Sequence, residues 1–183
     1  WEKNCLNIHG EKYCGKTHLV NIFLKKFKGI ILNSSSLNDE SFQDIKIYQN
    51  IVLEDFDKNI NEKLIYSLFN IIDQDNKYLM VTSTEPITNI KFKLDDLRSR
   101  TKNCLLAKID NPDDELMFAL ILKNLSDRQI IMDKKLIDFI IKRVKRSYSK
   151  IFEFIYKIDR ISLKRKKPID FKIIKEALEG QSE

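Results

Sequence analysis

Eight consecutive residues, Gly10-Glu11-Lys12-Tyr13-Cys14-Gly15-Lys16-Thr17, match G-x-x-x-x-G-K-[ST]. The chemistry behind that spacing is a tight turn whose backbone N–H groups converge on phosphate oxygens at the start of a helix. Lys16 would neutralise the β- and γ-phosphates, and the Thr17 hydroxyl would hold Mg²⁺. A loop that merely turned would leave Lys16 at a helix start, where the dipole disfavours a cation. Tyr13 stands where many such loops carry a further glycine, so an unusual loop geometry is expected. Downstream, Asn50-Ile51-Val52-Leu53-Glu54-Asp55 passes from apolar residues into two carboxylates. Glu54 is expected beside the Mg²⁺ shell, and Asp55 is placed to orient or deprotonate a water. Acids after a strand are ordinary by themselves; their pairing with the upstream loop is what carries meaning. A nucleotide with Mg²⁺ is the ligand implied.

Such groups need a scaffold, and the first 110 residues read as one. Short apolar runs at Leu6 to Ile8, Ile30 to Leu32, Ile51 to Leu53, Tyr78 to Thr82 and Cys104 to Ile109 are predicted strands. Between them, Lys16 to Phe27 and Asn61 to Ile72 carry apolar residues at helical intervals. This alternation predicts an α/β class: a parallel five-stranded sheet with flanking helices. From Asn111-Pro112 onward helices dominate. Asp113 and Asp114 open one to about Leu125, with Leu116, Ala119, Leu120 and Lys123 in register. Asp133 caps a second, whose stripe is Leu136, Ile137, Ile140, Ile141 and Val144. A third covers roughly Ser149 to Leu163, with Ile151, Phe152, Ile155, Ile158 and Ile161 buried. Pro168 breaks it, and Asp170 starts a fourth ending near Leu178. Two domains follow, 1–110 and 111–183.

The chain has 183 residues, 43% hydrophobic and 33% charged, with four Gly and three Pro, which excludes collagen-like and disordered classes. No apolar run approaches the roughly 18 residues of a membrane helix, so a soluble, cytoplasmic protein with no membrane partner is expected. Cys5, Cys14 and Cys104 are odd in number and widely spaced, so no disulfide framework and no C-x-x-C metal site is expected. His9 and His18 are too few for a zinc cluster. The net charge of +6 invites a nucleic-acid reading. Saturation with Lys, Asn and Ile, as AT-rich genomes produce, explains the same charge as a basic surface. Starting at Trp1 without Met, the chain reads as a fragment lacking an N-terminal segment.

Gly15-Lys16-Thr17-His18-Leu19 resembles the P-loop of the DnaA family of AAA+ proteins, the replication initiator and its regulatory relative Hda. Val81-Thr82-Ser83-Thr84-Glu85-Pro86 is similar to the family's sensor I strand end, with Thr84 at the sensor position. Asp96-Leu97-Arg98-Ser99-Arg100 is similar to its box VII, which makes Arg100 the arginine finger. Asn111-Pro112-Asp113-Asp114-Glu115 resembles the link into a helical lid. The resemblance places Gly10, Tyr13, Cys14, Gly15, Lys16, Thr17, His18 and Thr84 around the nucleotide, although Cys14 and His18 have no assignable role beyond lining the loop.

The resemblance inclines toward Hda of the alphaproteobacterial type. Up to Glu183 no counterpart of DnaA's helix-turn-helix module is read, so the regulator is the expectation, and Asn33 to Gln49 is too short for the helix pair with which DnaA grips single strands. Glu54-Asp55 and Arg146-Ser147-Tyr148 fit the regulator. The lid's sensor II arginine aligns with Ser149, and Arg146, one turn earlier, is the candidate substitute at the phosphates. A missing charge-assisted hydrogen bond there is worth about 1.5–3 kcal/mol, which would favour ADP and leave weak or no intrinsic hydrolysis. Implied partners are DnaA, whose bound ATP it would help hydrolyse, and the DNA polymerase III sliding clamp through a peptide preceding Trp1. A homodimer also fits. Two other classes stand beside this reading. A stand-alone P-loop ATPase or kinase is one, for which no substrate lid is recognisable. A DNA-binding lid is the other: Lys142 to Lys175 holds thirteen Lys or Arg against three acids, including Lys164-Arg165-Lys166-Lys167, though a solvated helix face weighs more, and any DNA contact is expected to be indirect.

Overall fold

The computed structural model describes residues 3–56 and 60–179; Trp1, read above as the start of a fragment, lies outside them. The chain divides into two compact units between Ile109 and Asp110. In the first, the elements run β1 (Cys5–His9), α1 (Lys16–Lys26), β2 (Gly29–Asn33), α2 (Ser41–Ile47), β3 (Asn50–Phe56), α3 (Glu62–Gln74), β4 (Tyr78–Ser83), α4 (Asp95–Lys102) and β5 (Leu105–Lys108). All five strands are parallel, in the order β2-β3-β4-β1-β5.

Alternation along the central strands sorts the core onto two faces. Ile51 and Leu53 of β3, with Leu79 and Val81 of β4, pack against Ile65, Leu68, Phe69 and Ile72 of α3. Those four recur at the three- and four-residue intervals that put them on one side of a helix. Val52 and Met80, one residue out of phase, join Ile8 and Val20 on the opposite face. Asn61 starts α3 by accepting the N–H groups of Lys63 and Leu64. Two helices were not anticipated from the sequence. α2 is seven residues long with only Ile45 buried, and α4 buries only Leu97 and Thr101, so neither generates a periodic apolar signal.

The cysteines require a correction. Cys5 and Cys104 form a disulfide, their Cα atoms 4.7 Å apart, and only Cys14 is free. Their separation of 99 residues hides what the sheet does, since β1 and β5 are neighbours with Leu6 opposite Leu105.

The second unit consists of α5 (Asp114–Asp127), α6 (Lys134–Ile141), α7 (Tyr148–Arg165) and α8 (Phe171–Glu179). Asp113, Asp133 and Ser147 accept backbone N–H groups at the starts of α5, α6 and α7, and Asp170 accepts the Ile173 N–H at 2.9 Å. The expected α5 stripe is displaced. Met117, Ile121 and Leu125 are buried, whereas Leu116, Ala119 and Lys123 are exposed. That helix is apolar almost all round its middle, so its period does not select a face. In α7 the buried set includes Phe154, with Phe152 and Ile161 only half-buried.

Candidate functional site

The loop between β1 and α1 is built by backbone conformations that few residues adopt. Gly15 has φ 96° and opens α1 with no side-chain cap and no acid in the first turn. The N–H groups of that turn are therefore left for an anion rather than for the helix's own side chains. Tyr13 also lies in the left-handed region, φ 66°, with its ring 60% exposed. The missing glycine thus leaves the turn intact and a tyrosine strained by about 1 kcal/mol. Space favours glycine at position 10: a Cβ there would come to 3.0 Å from Cys14 Sγ and from the Ile109 carbonyl, which would have to give way. The Lys16 ammonium donates to the Gly10 and Glu11 carbonyls at 2.8 and 2.9 Å, with Cys14 Sγ at 3.8 Å. The Thr17 and His18 side chains are exposed on the first turn.

β4 lies between β1 and β3, so the P-loop and the acidic strand stand two strand spacings apart, about 10 Å. All three strands end at one sheet edge, where Thr84 emerges, exposed, beyond β4. At that edge β3 bulges: Leu53 pairs with Val81, and Phe56 with Ser83, leaving an extra residue in β3. Asp55 takes φ 53°, gives its N–H to Thr82 Oγ1 at 3.3 Å, and its carboxylate accepts from Asn33 of β2 at 3.3 Å. Glu54 Oε1 is buried with no hydrogen-bond partner among the described residues. A buried carboxylate oxygen without a donor fits a cation, and with the Thr17 hydroxyl it is the donor set suited to Mg²⁺.

Several supporting residues carried no recognised signal. Asn7, fully buried in β1, donates to Ser83 Oγ at 2.9 Å and the Val81 carbonyl at 3.2 Å, and accepts the Ile87 N–H at 3.0 Å. It thereby fixes the turn carrying Thr84. A polar residue inside an apolar strand was the available clue. Lys77, 5% exposed, holds the end of α2 through the Lys46 and Tyr48 carbonyls, both at 2.9 Å.

Arg100 on α4 pairs with Asp73 of α3 and lies over the Tyr66 ring at 5.5 Å. Asp73 also accepts from Asn4 at 2.7 Å. The segment entering α4 is fastened by Glu62, whose carboxylate takes the N–H groups of Lys93 and Leu94 at 2.9 Å. In the helical unit Arg146 is bound bidentately by Asp114, at 3.0 and 2.9 Å, and Ser149 Oγ lies 3.1 Å from Ser147 Oγ. No group of His, Cys, Asp and Glu among the described residues is arranged to hold a metal by itself, and none of their helices is long and apolar enough to cross a membrane.

The fold is that of AAA+ P-loop NTPases. Domain III of the Thermotoga maritima replication initiation protein DnaA matches with a TM-score of 0.74 at 18% identity, over 97% of this chain and 84% of that one. A replication initiator DnaA bound to AMPPCP and single-stranded DNA matches at 0.64 and 20%, over 89% and 58%. A RuvB from Thermotoga maritima matches at 0.71 with 12% identity, over 96% and 62%. In sequence the chain is similar to the chromosomal replication initiator protein DnaA of Helicobacter hepaticus, 26% identical over 163 residues, 77% of this chain and 36% of that protein. The chain spans between 36% and 45% of the length of the curated relatives it matches. No family model matches it.

Proposed function

We propose that this chain binds an adenine nucleotide with Mg²⁺ in the loop at residues 10–17 and acts as an Hda-like regulator of DnaA. The observation that carries the first half is the Lys16 ammonium, held on the Gly10 and Glu11 carbonyls of a loop that turns through left-handed residues at Tyr13 and Gly15. An incoming phosphate would take over that ammonium and accept the N–H groups at the start of α1. Thr17 and Glu54 would hold Mg²⁺, which when bound neutralises phosphate charge. Thr84, fixed through Asn7 and Ser83, is the polar group at the sheet edge suited to sensing the end of the phosphate chain. Asp55, tied toward β2 by Asn33, would have to leave that contact to orient a water, which agrees with little intrinsic hydrolysis. Arg146, if it is to reach phosphates, must give up Asp114.

In the second half, Arg100 is presented to ATP held by DnaA, where a guanidinium at the γ-phosphate can accelerate hydrolysis about 10³–10⁵-fold. The sliding clamp would recruit the protein, and a homodimer or a mixed assembly with DnaA is the working form. Calorimetry with ADP and ATP, with and without Mg²⁺, tests the site; absence of heat for both nucleotides overturns it. Turnover of DnaA-bound ATP with the full-length protein, clamp and DNA tests the role. Unchanged turnover on Arg100→Ala would remove the finger and leave nucleotide binding standing.

A further inference from the structure

The end of α7 departs from ordinary helix termination. Helices that close with a left-handed residue usually place glycine there, yet here Lys166 takes φ 51° and ψ 42°. Its N–H reaches the Leu163 carbonyl and the Lys167 N–H reaches the Ser162 carbonyl, both at 3.2 Å. The Ser162 hydroxyl then donates to the Lys167 carbonyl at 2.5 Å. This closed turn holds the backbone of a four-cation run, Lys164 to Lys167, all exposed. A lysine in place of glycine is disfavoured in this conformation, and what it adds is charge.

Neutralisation inside the unit is slight. Arg165 pairs with Glu176 of α8 at 2.5 Å. Lys164, Lys166, Lys167 and Lys172 have no acid within ion-pair distance among the described residues. From Arg160 to Lys175 the only acid is Asp170, which is engaged in capping α8. The helix dipole accounts for a cation or two in the last turn of α7, but not for Lys167 and Lys172 beyond it.

The chemistry that complements this corner is a line of phosphates. An interfacial membrane helix would need a continuous apolar stripe, whereas α7 and α8 bury theirs through Ile158, Ile173, Ile174 and Ala177 and leave Leu163 and Phe171 as isolated exposed side chains. Unpaired bases would need free rings to stack on. The exposed rings here are engaged: Arg160 lies 5.8 Å over Tyr156, and Phe171 meets Phe139 edge-on at 5.2 Å. We propose that the α7–α8 corner, through Lys164, Lys166, Lys167 and Lys172, docks the backbone of duplex DNA without reading its sequence. This surface is independent of the proposed nucleotide site and, unlike the indirect contact expected from sequence, would touch DNA directly.

The test is fluorescence anisotropy of a labelled mixed-sequence duplex with the full chain over a salt series. The combined variant Lys164→Gln, Lys166→Gly, Lys167→Gln should reduce the slope of log K against log salt by about 2.7, three phosphate contacts at about 0.9 each. Its melting temperature should hold or rise, because glycine suits the position of Lys166, and its nucleotide affinity should be unchanged. A control of equal charge, Lys91→Gln, Lys93→Gln, Lys102→Gln, should leave the slope in place. The proposal is overturned by no duplex binding, by equal losses in variant and control, by preference for the single strand, or by binding to phosphatidylserine vesicles in place of duplex.

Discussion

Lys16 makes two contacts that a phosphate must replace, to the Gly10 and Glu11 carbonyls. Lys16→Ala should therefore weaken MgADP binding about tenfold to a hundredfold by calorimetry, the worth of one charge-assisted hydrogen bond. Glu54→Gln separates cation from phosphate. Affinity without Mg²⁺ should be unaltered, while the gain on adding Mg²⁺ should shrink; an undiminished gain would show that Glu54 lies outside the cation's shell. The motif residues were legible because G-x-x-x-x-G-K-[ST] is a contiguous pattern with a local mechanism. What was not legible is how each is held. Asn7, Asn33 and Thr82 act across strands, and a hydrogen bond spanning 74 residues leaves no mark in a linear pattern.

Among the elements, α4 matters most to the regulatory reading. It is fastened at its entrance by Glu62 and along its length by the Arg100–Asp73 pair and Tyr66. Asp73 holds the guanidinium that would have to reach another subunit. Asp73→Asn keeps an oxygen for Asn4 yet removes the charge, so DnaA-bound ATP should turn over faster at limiting protein. Stability should fall by about 1 kcal/mol or less in a thermal melt, as for other exposed ion pairs. Slower turnover would instead make Asp73 a positioning residue for Arg100. The strands and the apolar stripe of α3 were readable from their residue patterns, whereas Asn61 was read only as the start of that stretch and its capping role came from the structure. The α5 stripe was misplaced because Leu, Met, Phe and Ile occupy every side of its middle turns, and burial there is decided by the neighbouring helices.

Taken as a whole, the molecule joins two units whose cores are formed by separate sets of residues. The α/β unit alone is closed on itself by Cys5 and Cys104. In the chain-entropy account a bridge across a loop of about 100 residues is worth up to about 4.7 kcal/mol. Reductant should lower the melting temperature of the oxidised protein, and a Cys5→Ser, Cys104→Ser variant should melt at one temperature with or without it. Neither cysteine lies in a spacing motif, so the bridge became visible only once the sheet order placed β5 beside β1. The bridge also has a topological consequence. Between its two ends the polypeptide is a covalent ring, and cutting a ring once does not divide it. A protease that opens one peptide bond between residues 5 and 104 should leave a species that migrates as an intact chain on a non-reducing gel and separates into two fragments only after thiol treatment.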